Sequence, residues 1–94
     1  MVSAEPFKEA RKPAYILHVD FGPEVGVLKS TARITVLYDC NSLVGKQVIA
    51  VTNLQPKQIG PIQSQCLITG FQTNDHAVVL AQPERKIPNG IKLS

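Results

Sequence analysis

Tryptophan is absent from this chain, and three phenylalanines and two tyrosines (Phe7, Phe21, Phe71, Tyr15 and Tyr38) supply all its aromatic surface. Stacking on an aromatic ring contributes roughly 1–3 kcal/mol per base in proteins that hold single strands. A chain this poor in rings is not built for sequence-specific single-strand reading. Long apolar runs are missing too. The longest, Ala77-Val-Val-Leu-Ala, falls far short of the roughly 20 residues that cross a bilayer. The opening Met1-Val-Ser-Ala-Glu-Pro has neither the basic start nor the apolar segment of a secretory leader. These absences predict a soluble, cytoplasmic protein with no membrane insertion. Cysteine is confined to Cys40 and Cys66, far apart and without CxxC spacing. Cys66 falls in an apolar stretch and reads as a small core residue. Cys40 sits in a turn region, where its exposure and reactivity stay open, and a disulfide between the two has no support in a reducing compartment.

Catalytic constellations are lacking as well. His18 points outward from an alternating strand and His76 tips a hairpin. Neither has a Cys, Ser or carboxylate at the spacing of a triad or a metal site. Asp20 and Glu24 bracket a turn, and no Gly-rich phosphate loop occurs. The expectation is a protein that is not an enzyme and holds no metal and no cofactor.

Acid is the last scarcity. The net charge is +3 and the pI near 9.1, but the distribution matters more. Between Cys40 and Asn74 there is no carboxylate, while Lys46 and Lys57 fall inside that stretch and Lys29 and Arg33 shortly before it. Asp39 is the one acid between them. Such a field attracts phosphates, or else it is simply a solvated face.

With 94 residues, 44% of them apolar, the chain is one small globular domain; a domain this size buries roughly 60–70% of its unfolded surface. Tyr15 to Phe21 alternates, with Tyr15, Leu17, Val19 and Phe21 on one face and Ile16, His18 and Asp20 on the other, as a half-buried strand does. Gly22 to Gly26 turns the chain and Val27 to Ser30 returns. Ser30 and Thr31 are read as the cap of a short helix carrying Ile34, Leu37 and Tyr38 on one side, weak because Ile34, Thr35 and Val36 are β-branched. Further strands are expected at Gln47–Asn53, Gln65–Phe71 and His76–Gln82, the last the most buried. Pro6 and Pro13 bracket one helical turn, Phe7 to Lys12. Short strands, tight turns and one brief helix indicate an all-β fold, a small OB-fold Greek-key barrel whose first strand looks truncated.

Several blocks in order carry a resemblance. They are Ala4-Glu5-Pro6-Phe7 with Glu9-Ala10-Arg11, Val19 to Gly26, Ser30 to Thr35, Leu43 to Val51, the ledge Asn53 to Ile59, Gln82 to Arg85, and Pro88-Asn89-Gly90. Together they resemble the tRNA-binding domain family, in particular its CsaA-like branch of export-related chaperones, over nearly the whole chain (1–94). The resemblance implies a homodimer that binds tRNA or structured RNA by shape and phosphate contacts. It also implies an alternative role in protein secretion, capturing precursor proteins of the export pathway. Gln55 stands where that branch has Pro, and Gln65 where it has Glu, which removes a negative charge from the ledge. Pro61-Ile62 replaces a frequent Ala/Gly-Phe pair.

The candidate RNA-binding residues are Lys57, Arg33, Asn53, Gln58 and Ser64. Lys57 projects from a Pro-fixed corner and Arg33 lies near the start of the short helix, both suited to neutralise phosphate. Asn53 and Ser64 flank the ledge. Each can donate to a phosphate or base edge, or tie the strand corner by an Asx- or Ser-type backbone bond. Arg11, Lys12 and Lys29 are weaker candidates. For polypeptide capture or a dimer seam the candidates are Phe7, read as the most exposed ring, with Ile59 and Ile62.

Overall fold

Ser3–Pro6 form β1, which pairs antiparallel with β2, Tyr15–Asp20, from Ser3↔His18 to Pro6↔Tyr15. On its other side β2 pairs with β3, Val27–Ala32. The structure is a computed structural model and describes residues 1–94. The alternation of β2 is used as expected on its inner face. Leu17 and Val19 are buried and join Ile34, Leu43 and Leu80 in the main core. The opposite face is drier than the pattern implied: Ile16 is buried too, because the β1–β2 connection folds Phe7 and Ala14 over it. The hydroxyl of Ser3 lies 2.9 Å from Nδ1 of His18, so that ring is engaged within the sheet.

The turn after β2 is a four-residue helix, α1 (Gly22–Val25). The second helix, α2, is Cys40–Leu43, not the segment after Ser30. Ser30 and Thr31 end β3, and Thr35 to Leu37 form a turn that leaves Val36 and Leu37 exposed. Two causes are visible. The β-branched run favours extended backbone, and the Ser30 hydroxyl donates to the carbonyl of Cys66 at 2.7 Å instead of capping a helix. The real cap is Asp39, whose carboxylate accepts from the Ser42 amide (2.7 Å) while Ser42 Oγ accepts from the Asp39 amide (3.2 Å).

The second half of the chain is a set of short ladders. β4 (Ala50–Val51) pairs with β7 (Leu67–Ile68), β5 (Lys57–Ile59) with β6 (Ile62–Ser64), and β8 (Gly70–Gln72) with β9 (Val78–Leu80), all antiparallel. The expected corner at Asn53–Ile59 is thus partly a hairpin, turned by Gly60 at φ 56°, a left-handed backbone that suits glycine. The strand expected to be most buried is not: Ala77 and Leu80 are buried, but Val79 faces solvent. Main-chain bonds stitch the ladders together. The Ile49 amide donates to Ala81 (2.9 Å), Ala81 to Thr69 (3.1 Å) and Thr69 to Ile49 (3.1 Å). Between β3 and the β6–β7 connection the Gln65 amide donates to the Lys29 carbonyl at 2.7 Å, and the Lys29 amide donates to the Gln65 side-chain oxygen at 2.8 Å. A carboxamide therefore completes what would otherwise be a backbone ladder.

The tail is held down as well. The Ile87 amide donates to Gln47 Oε1 (3.0 Å) and Gln47 Nε2 donates to Asn89 Oδ1 (3.0 Å). Nine strands and two four-residue helices make a mostly-β molecule whose helices lie at neither place anticipated, since Phe7 to Lys12 is a turn and bend rather than a helical turn. No helix is long and apolar enough to cross a membrane.

Candidate nucleic-acid interface

The β1–β2 connection starts at the buried Phe7 and closes on itself: the Phe7 amide donates to the Ala14 carbonyl (3.0 Å) and the Ala10 amide to Phe7 (3.3 Å). This places Glu9, Arg11 and Lys12 on the outside of a tight turn, where all three are exposed. Facing it, the β5–β6 hairpin brings Ile59 and Gly60 against the Phe7 ring. A Cβ on Gly60 would sit 3.7 Å from Phe7 Cζ. Between turn and hairpin runs a groove of about 590 Å³. Its floor includes Phe7, Ala14 and Ile59. Arg11, Lys12 and Arg33 line it as well, and their exposure puts them at its rim. Arg33 is there because its neighbour Ile34 turns into the core, so the alternation at the end of β3 throws the guanidinium outward.

Lys57 is exposed and pairs across the hairpin with Ser64. Ser64 Oγ accepts from the Thr31 amide at 3.4 Å, two residues before Arg33. Lys57 therefore stands on the hairpin end that abuts β3, though unlike Arg33 it does not line the groove. Neither is in a salt bridge; the single ion pair joins Arg85 to Glu84, neighbours in the chain. Ser64 itself is 9% exposed, and its hydroxyl is used by Thr31, Cys66 and Ser30. Of its two readings the structural one holds. Gln58 pairs with Gln63 on the hairpin face opposite Lys57, and its amide donates to the Gly60 carbonyl at 2.8 Å. Asn53 is exposed in a bend between β4 and β5 and does not line the groove.

Phe7 is corrected outright. It is 4% exposed, not an open ring, because Ala14, Ile16, Ile59 and Ile62 enclose it. Ile59 and Ile62 pair directly and remain half-buried, so the three apolar candidates do meet, with Phe7 beneath. Arg11 and Lys12 join the rim from a segment that carried little weight in the sequence. The two prolines bracketing it were the available signal, since they fix a turn whose charges have nowhere to go but outward. Burial pushes the Cys66 thiol above its usual range, the Ser30 hydroxyl offsetting this only in part, while Cys40 is free and half-buried. No three His, Cys, Asp or Glu side chains gather where they would hold a metal ion.

A small mostly-β domain with a cationic rim over an apolar groove has the layout of a binding module. The family described as "Putative tRNA binding domain" matches residues 1–92, and this chain belongs to it. Among solved structures it is similar to chaperone CsaA from Bacillus anthracis (TM-score 0.93, 44% identity, 99% of this chain and 84% of that one). CsaA from Picrophilus torridus is likewise similar, with a TM-score of 0.90 at 40% identity, covering 99% and 86% of the two chains. Methionine–tRNA ligase 1 of Bacillus anthracis is 38% identical over 99% of this chain, which spans 14% of the ligase's length.

Proposed function

We propose that the protein binds RNA, and tRNA in particular, through phosphate contacts along the rim formed by Lys57, Arg33, Arg11 and Lys12. The observation that carries this reading is the convergence of Arg11, Lys12 and Arg33 from two separate segments, the β1–β2 turn and the end of β3, without a salt bridge to quench them; Lys57 is exposed on β5, outside the groove, and extends the rim in this reading. Phosphate contacts position a backbone without reading sequence, which suits a surface with few exposed rings. The name of the family and the similarity to a methionine–tRNA ligase support the same partner, and tRNA places the protein in the cytoplasm.

The short ladders are read as one OB-type Greek-key barrel. The Gln65–Lys29 bond and the three-way junction of Ile49, Thr69 and Ala81 support that reading. A homodimer forms through the outward sheet face bearing the pairs Phe71↔Val79 and Val51↔Leu67, not through a Phe7 seam, since Phe7 is already enclosed.

A second reading rests on the half-buried Ile59 and Ile62 beside the groove and on the chaperone titles of the similar structures: capture of unfolded precursor polypeptide. Salt separates the two. Releasing counterions makes phosphate binding fall steeply with ionic strength, whereas apolar capture holds or tightens. Bulk tRNA titrated at low and moderate salt is expected to bind with a steep negative slope. Lys57→Glu should weaken it several-fold and flatten the slope by about one charge or more, with capture of an unfolded polypeptide unaltered. Salt-insensitive binding removes the phosphate rim, and an unchanged Lys57→Glu variant removes Lys57 from it.

A further inference from the structure

One side chain in the groove works against phosphate. Glu9 lines it beside Arg11, Lys12 and Arg33, yet it is in no salt bridge with any of them. A surface that only neutralised a backbone would be better without it.

An ionised carboxylate is an acceptor only, with two oxygens that match two parallel donors. Among the RNA bases guanine alone offers adjacent donors, N1–H and N2–H, on its Watson–Crick edge. Adenine and cytosine set a ring-nitrogen lone pair beside their amine, and uracil flanks its single N–H with two carbonyls. Each of these would turn a lone pair toward the carboxylate. The groove volume, about 590 Å³, falls in the range of about 300–1,000 Å³ that small-ligand pockets occupy. Its half-buried apolar lining, Ala10, Ala32 and Ile59, suits the faces of a base.

We infer that the groove receives one unstacked guanine of a bound RNA, its ring against the half-buried Ile59 and Ala10 and its Watson–Crick edge on Glu9. The flanking phosphates lie on Arg11, Lys12 and Arg33. The inference rests on the RNA-binding reading of this same site. Recognition of this kind reaches bases in loops and unpaired ends, where unstacking costs least. A polypeptide arginine also carries paired donors, but the three cations around the groove repel it.

The test compares two short labelled RNAs, oligoadenylates with a single central guanosine or inosine, by fluorescence anisotropy. Inosine lacks only the N2 amine. The wild-type chain should prefer guanosine by about fivefold or more, the lower end of what a bidentate base contact contributes. Glu9→Ala should bring the ratio close to one while thermal unfolding of the variant matches that of wild type. Glu9 is exposed, so the variant folds. A wild-type ratio of one with tRNA still bound overturns the inference alone, as does a ratio that survives Glu9→Ala. An arginine-rich peptide that displaces the guanosine RNA, and is itself released by Glu9→Ala, also overturns it by assigning the groove to a polypeptide. Failure to bind tRNA at low salt would instead sink the reading on which it rests.

Discussion

Tyr38 joins three parts of the molecule through one side chain and its own carbonyl. Its hydroxyl accepts from the Leu80 amide on β9 at 3.1 Å, and its carbonyl accepts from the Tyr15 hydroxyl on β2 at 2.8 Å. The Lys46 ammonium sits 5.9 Å from the ring centroid, a cation–π distance. Tyr38→Phe keeps the ring and the cation but leaves the Leu80 N–H without its partner. An orphaned donor in a partly buried strand costs about 1–3 kcal/mol, and each kilocalorie lowers the melting temperature of a domain this size by about 4–8 °C. Thermal unfolding of the variant measures it directly; a melt identical to wild type would mean that the Leu80 amide finds water instead. At this scale the sequence was partly silent. Ser30 and Ser64 looked like a helix cap and a ligand donor, but both hydroxyls are taken by the Cys66 carbonyl, and for Ser30 that partner lies 36 positions along the chain. No local pattern announces a bond of that span.

Elements were legible where their pattern was local. The alternation of β2 and the turn chemistry around Gly22, Gly60 and Thr73–His76 all appear where the residues placed them. What failed was anything set by packing between distant segments. The helix after Ser30 gave way to strand and turn, and Phe7 went under because a hairpin far downstream closes on it. The groove was only partly legible for the same reason: Arg33 stood out by charge, whereas Arg11, Lys12 and Glu9 became part of it once the turn and hairpin met, and Lys57, also singled out by charge, lies outside it. The β8–β9 hairpin shows how tight such meetings are. A Cβ on Gly70 would lie 2.7 Å from Val78 Cγ1 and 2.8 Å from the Val79 carbonyl, and backbone cannot yield as a side-chain tip does. Gly70→Ala should destabilise the fold by about 1–3 kcal/mol. Amide exchange is expected to rise first at Val78–Leu80, and unaltered protection there would show that the hairpin adapts.

At the scale of the whole molecule, two of the short ladders carry exposed apolar pairs. Phe71 is 69% exposed opposite Val79, and Leu67 is 55% exposed opposite Val51; all four sit on the outward side of the β4–β7 and β8–β9 ladders. Paired exposed apolar residues of this kind, where they lie together, mark an association surface. The proposed homodimer places these pairs at its two-fold axis, where each residue meets its own counterpart or a near neighbour. Sedimentation at micromolar concentration should give a dimer, and Phe71→Asp should give a monomer with its fold intact. A monomeric wild type would refute the assembly, and a dimeric Phe71→Asp would move the contact elsewhere.

The Gln65 carboxamide has a consequence for spacing. Because it receives the Lys29 amide while its own amide meets the Lys29 carbonyl, the hairpin carrying Lys57 is pinned to the strand leading to Arg33 at one setting, like a peg in a notched rule. Sliding either by a single residue would break both bonds and misplace the Ser30 and Ser64 hydroxyls at once. On the proposed phosphate-binding reading, a flexible polyanion would have to fit its own charge repeat to a gauge already cut in the protein.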